Sequence, residues 1–204
     1  MSFYNDLSNK NDFDIRFKDK PKQAFGIFAK SYHIAAKRLA EDMLEKHFRV
    51  YEPYPVIFLY RHSIELHLKN IIIKTALLSA FREIKNLDHN LQFIHQLDRL
   101  TTQVKIIILK LFPREMELND FIENKLEVIV KEFTEIDPNS SSFRYPIDRN
   151  ENCSTLTENN LNLESIYNNL EPVLKRLEKI EFGINIETDN EQKIYEIHEI
   201  LNAI

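Results

Sequence analysis

The sequence predicts an all-α protein, a bundle packed around one unusually apolar central helix, and three observations predict it. Only two glycines occur in 204 residues, whereas hairpins, bulges and phosphate-cradling loops all draw on glycine. Apolar residues recur at three-and-four spacing along most of the chain. One stretch is apolar nearly all round, from Tyr54-Pro55-Val56-Ile57-Phe58-Leu59-Tyr60 to Ile71-Ile72-Ile73 and Ala76-Leu77-Leu78, which suits the middle of a bundle. The 43% apolar and 29% charged fractions are ordinary for a globular domain.

Residues 1–20 show no sustained period and read as an arm, followed by a helical bundle over 21–182 and a helical appendage over 183–204. Pro21 is a favourable first-turn residue. From there Phe25, Phe28, Ala29, Tyr32, Ala36, Leu39, Ala40, Met43 and Leu44 predict a first amphipathic helix ending near Phe48. Pro53 and Pro55 mark a break, and the second helix runs from about Pro55 to Phe81. Asp88, in the polar link 85–90, is placed to cap a third helix over Asn90 to Leu111, stopped by Pro113. A fourth is predicted over Leu118 to Thr134. Residues 135–160 lack helical period and carry turn chemistry at Asp137-Pro138-Asn139 and the serine triplet, giving a long irregular loop in which Phe143 to Pro146 should be extended. A fifth helix covers Leu163 to Phe182, and a short terminal one covers Glu191 to Ile204.

Charge divides unevenly. Residues 21–113 carry 14 basic against 8 acidic side chains, while residues 114–204 carry 9 against 20. The asymmetry suits a surface that meets polyanions, or two faces that attract each other in a dimer. No apolar run reaches the roughly 18 residues of a membrane span, the start lacks the signature of a secretory leader, and Cys153 stands alone, so the expectation is a cytoplasmic protein without disulfides. Isolated glycines exclude phosphate loops and dinucleotide fingerprints, and no cofactor is expected.

The informative feature is the charge inside the apolar stretch. Phe58 to Lys69 reads FLYRHSIELHLK, and unpaired charge in a bundle centre costs several kcal/mol. Each such group should therefore have a partner or a task. Arg61, Glu65 and Lys69 stack at i,i+4 steps with His62 beside them, whereas His67 lies about 240° round from Arg61. Glu65 held between Arg61 and Arg144 would clamp the loop to the bundle. His62 with Glu65, echoed by His95 with Asp98, has the spacing of a metal pair but lacks further inward carboxylates, so no metal site is expected.

Tyr54 to Lys69, the link Asp88 to Leu91 (DHNL) and Phe143 to Asp148 (FRYPID) together resemble the HEPN-like superfamily of prokaryotic helical domains. The resemblance covers roughly residues 21–180. It implies an up-and-down bundle of four to five helices, pairing into a homodimer, and in many members a metal-independent endoribonuclease, in toxin or phage-defence settings, whose signature is Arg, four to six residues, then His. Arg61 and His67 fit that spacing with His62 as the polar neighbour, and Arg82 with His89 fits it too. In such a site histidine moves protons and arginine stabilises the phosphorane as the 2′-hydroxyl attacks the adjacent phosphate. Glu65, Lys69, His89, Arg144 and Tyr145 would bind RNA, and Tyr145 or Tyr60 could stack a splayed base. The competing expectation is an interaction module for a protein partner, its polar cluster purely structural.

Overall fold

The computed structural model describes residues 24–46, 53–91, 95–137, 142–145, 147, 151, 154 and 161–202. Every regular element among them is a helix: α1 (Phe25–Lys46), α2 (Pro53–Phe81), α3 (Leu97–Leu111), α4 (Met116–Phe121), α5 (Glu127–Ile136) and α6 (Leu163–Asn202). None of these helices is long and apolar enough to cross a membrane. The predicted arm, Cys153 and Pro146 lie outside the described residues.

α2 is the axis. Val56, Ile57, Tyr60, Ile64, Leu68, Ile71, Ile72 and Leu78 are buried along one arc of about 160°, and Glu65, Lys69, Leu66, Asn70 and Ser63 are buried round the rest of the circumference, so the helix is enclosed on every side. α1 packs antiparallel to α2: Ser63 Oγ donates to the Ala29 carbonyl at 2.8 Å, and Gly26 comes up against Asn70. Small residues make this approach close, since Ala29, Ala36 and Ala40 are fully buried. α6 runs in the same direction as α2, with Tyr60 meeting Glu171, His67 meeting Glu181, and Arg82 meeting Glu187 and Glu191.

The alternation expected of an up-and-down bundle fails between α2 and α3. α2 ends in a Schellman motif, with the Ile84 N–H on the Ser79 carbonyl, the Glu83 N–H on the Ala80 carbonyl and Glu83 at φ 53°. In a chain so short of glycine, a glutamate takes the left-handed position. Residues 82–91 then run back along α3, whose Lys110 and Gln103 hold the carbonyls of Asn86 and Asp88. α3 therefore starts at Leu97 beside Arg61 and travels parallel to α2, rather than starting at Asn90. Asp88 accepts the Asn90 N–H at 2.8 Å, a local Asx turn in place of the expected helix cap.

Two further boundaries differ from expectation. The predicted fourth helix is α4 and α5 joined by a π-helical turn, Ile122–Leu126, in which the Glu127 N–H reaches the Ile122 carbonyl and both Ile122 and Leu126 are buried. The predicted break between Phe182 and Glu191 is absent, and α6 continues through 40 residues. Its second half is held where Arg82 donates to Glu187 and Glu191 at 2.6 and 2.7 Å and Tyr195 packs on Phe81. Phe143 and Arg144 lie in a turn rather than in extended chain, because Asp137 Oδ1 captures the Ser142 N–H at 2.9 Å and draws the segment back on itself.

Candidate functional site

The roughly two and a half helical turns from Arg61 to Lys69 are buried throughout, apart from the half-buried His62. Arg61 is 3% exposed, Glu65 2% and His67 1%. Charges at this depth must be answered locally, and they are. Arg61 Nη1 donates to Glu65 Oε2 at 3.3 Å, Nη2 donates to the His95 carbonyl at 3.1 Å, and Nε stands 3.3 Å from Asp137 Oδ2. Burial pulls the guanidinium below its usual value, with Asp137 and Glu65 opposing.

Glu65 is the hub. Its Oε1 accepts from Lys69 Nζ at 2.7 Å and meets His95 Nδ1 at 2.9 Å, while His62 Nδ1 stands 3.9 Å from Oε2. Burial alone would raise its carboxyl, but His62, Lys69 and His95 more than reverse that and hold it at about 2. The i,i+4 ladder expected from the sequence is thus present, and it is joined by His95, just before α3, and by Asp137, at the end of α5.

Arg144 does not take the expected place beside Glu65. Its guanidinium lies 5.7 Å over the Phe58 ring and 5.7 Å over that of Tyr145. The rings continue the stack, with His62 parallel to Phe58 at 5.5 Å and Tyr32 edge-on to His62 at 4.6 Å. The loop is still clamped to the bundle, through Asp137 and through Phe143, which is buried against the core near Tyr54. Tyr145 is exposed.

Neither Arg–His pair forms a single site. His67, on the opposite flank of α2, meets Glu181 of α6 at 2.6 Å through Nδ1, and its buried Nε2 has no hydrogen-bond partner. Lys74 lies 4.0 Å from the same carboxylate. Arg82 is committed to α6 and to the Leu111 carbonyl, while His89 sits half-buried in the returning link, where burial lowers its imidazole.

Three groups at these sites are not connected to α2 by any local spacing. Asp137 sits in turn chemistry far from Arg61 in the sequence. His95 is marked in the sequence only by its spacing to Asp98. His33, buried in α1, has Nε2 3.0 Å from Glu171 and Nδ1 3.3 Å from Glu178, and Tyr60 donates to the same Glu171 oxygen at 3.0 Å. A histidine on the apolar stripe of α1, at position 33 between Ala29 and Ala36, was the available signal for this third cluster. Among the described residues, no group of three or more metal-ligating side chains has the geometry to hold an ion.

No protein-family model, curated protein or solved structure matches this chain.

Proposed function

We propose that this chain is a non-catalytic helical interaction module, HEPN-like in its central helix, whose Arg61–Glu65–Asp137 cluster is a structural clamp. One observation carries the reading: each of the three guanidinium nitrogens of the buried Arg61 faces an oxygen of the protein itself. To meet a substrate phosphate, Arg61 would have to leave two carboxylates that are themselves buried, at a cost of several kcal/mol. His67, the partner that the Arg–His spacing requires, faces Glu181 on another side of the helix. The clamp ties α2 to the end of α5 and to the start of α3, and so fixes the outer surfaces that a protein partner would read.

A second reading rests on a different observation. His95 is exposed and His62 half-buried, both beside Glu65, with Arg144 and Tyr145 on the same side of α2. A carboxylate that orients two histidines near an arginine and an open aromatic ring suits an RNA-binding, metal-independent endoribonuclease of the kind the resemblance implies. Incubation of the purified protein with mixed RNA and a chelator separates the two. The interaction-module reading expects intact RNA. Fragments ending in cyclic phosphate, lost in both His62→Ala and His95→Ala proteins of unchanged circular dichroism, would replace it with the second.

A further inference from the structure

α5 carries more apolar surface than its neighbours cover. Its sequence EVIVKEFTEI sets Ile129, Phe133 and Ile136 at i, i+4 and i+7 on one face of the helix, while Val130 and Lys131 lie round the side toward α3. α6 answers with Ile166 and Leu170 at helical spacing. The two helices do not close on each other. Between them stands a cleft of about 360 Å³, floored by Ile57 of α2, and both its size and its apolar walls are those of a small-molecule site. Ile136 and Ile166 are only half-buried there, and Leu161 at the mouth is 42% exposed.

The rim identifies the occupant. Its charged members are Glu132 and Glu135, both exposed, and neither makes an ion pair among the described residues. No lysine or arginine lines the cleft. The last turn of α5 carries no basic residue either, so the negative end of its dipole adds to the same field. An anion would look for donors at the start of α6, but Asn162 Oδ1 already accepts the Ser165 N–H at 2.9 Å, and Asn169 Nδ2 is turned to the Ser165 carbonyl at 2.9 Å. Apolar walls beneath two unpaired carboxylates favour a cation with an apolar body, because the walls dehydrate the body while the rim keeps the charge in water and in reach of opposite charge.

We propose that this cleft binds a small amphiphilic amine, with its apolar body against Ile57, Phe133 and Ile166 and its ammonium beside Glu132 and Glu135. The cleft adjoins the clamp, since Ile57 lies one turn before Arg61 and Ile136 immediately precedes Asp137. None of its lining residues belongs to the Arg61–Glu65–Asp137 cluster, so the inference goes beyond the clamp reading and stands or falls separately from it.

Ligand-observed NMR titrations of the full chain with n-octylammonium, n-octanol and octanoate test it, with an amphipathic Leu/Lys peptide run alongside. Octylammonium is expected to bind with a dissociation constant on the order of 100 μM, roughly tenfold tighter than octanol, with octanoate weakest because the rim repels it. Shortening the amine should weaken binding about three- to fourfold for each methylene removed. Replacing both rim acids, Glu132→Gln with Glu135→Gln, should erase the preference for amine over alcohol and leave octanol binding unchanged. Ser165→Trp, at an exposed position on the α6 wall, should fill the cleft and abolish binding of both while circular dichroism is unchanged. Should that variant fail to fold, the paired glutamine variant still decides, because both of its positions are on the surface. Absence of octylammonium binding at about 1 mM, octanol or octanoate binding as tightly as the amine, or binding indifferent to Ser165→Trp would overturn the proposal. Binding of the peptide alone, with none of the amine, would give the cleft to a protein partner and overturn it as well.

Discussion

The two flanks of α2 handle buried charge differently. On the Glu65 flank one carboxylate gathers Arg61, Lys69 and His95, and Arg61 recruits Asp137 in turn. Glu65 and Arg61 each have more than one neighbour. On the His67 flank a single close contact, His67 to Glu181, leaves His67 Nε2 and Asn70 Nδ2 buried without hydrogen bonds. The first flank is a network, in which removal of one member strands several others. The second is an isolated pair, and buried isolated pairs contribute little net stability because desolvation offsets most of their attraction.

The largest effect should follow from Glu65→Ala. It takes one of the two carboxylates from Arg61 and the carboxylate partner from Lys69 in the interior, and breaking a buried network in this way costs about 3–5 kcal/mol. Urea denaturation should show that loss in the midpoint. If Glu65→Ala costs no more than His67→Ala, the distinction between network and pair fails.

Acid should act on the same flank. The Glu65 carboxyl is held at about 2, below its ordinary 4.5, so its stabilisation is complete above roughly pH 5 and is lost as pH falls through that interval. The linked free energy is a few kcal/mol. Wild-type stability should therefore fall between pH 4.5 and pH 2, and Glu65→Gln should flatten that fall while lowering stability at neutral pH. An unchanged acid slope in Glu65→Gln would show that other carboxylates govern it.

The His67 flank should behave as a replaceable pair. His67→Leu alone leaves Glu181 buried with only Lys74 at 4.0 Å, at an expected cost of about 1–3 kcal/mol. The double variant His67→Leu with Glu181→Leu removes both polar partners and should recover most of that loss, since an apolar pair of similar volume is often neutral or better. A double variant worse than the sum of its parents would place the His67 flank in the same class as the Glu65 flank.

The sequence made one flank far more legible than the other. Arg61, Glu65 and Lys69 announce themselves because i,i+4 spacing on a helix is a local geometric fact, and their burial follows from the apolar residues on either side. The helical class, the central position of α2 and the attachment of the 137–145 segment to it were readable for similar reasons. Asp137 and Glu181 were not, because their meeting with α2 depends on the course of the whole chain. The parallel run of α3 was hidden for a specific reason: a glutamate, Glu83, takes the left-handed position that a glycine would have advertised. The unbroken α6 was hidden because Gly183 and Thr188-Asp189-Asn190 read as a stop, whereas Arg82, 105 and 109 residues earlier in the chain, grips Glu187 and Glu191 and holds the helix through that stretch.

The smallest predicted effects come from the two glycines, and they sharpen the same contrast. A Cβ on Gly26 would stand 2.7 Å from Asn70 Nδ2 and 3.4 Å from Glu181 Oε2, so it is the missing side chain of Gly26 that lets α1 close over the His67 flank. Asn70 is buried and has little room to yield. Gly26→Ala should therefore cost about 1 kcal/mol despite the better helix propensity of alanine. Gly183 lies inside α6 with nothing within 4 Å of its would-be Cβ, and Gly183→Ala should gain about 0.5–1 kcal/mol from propensity alone. Thermal or urea unfolding of the two variants should move in opposite directions. Equal gains would mean that the His67 flank is loosely packed and adjusts freely, which its isolated pair and two unmet polar atoms make the least costly way for this comparison to break.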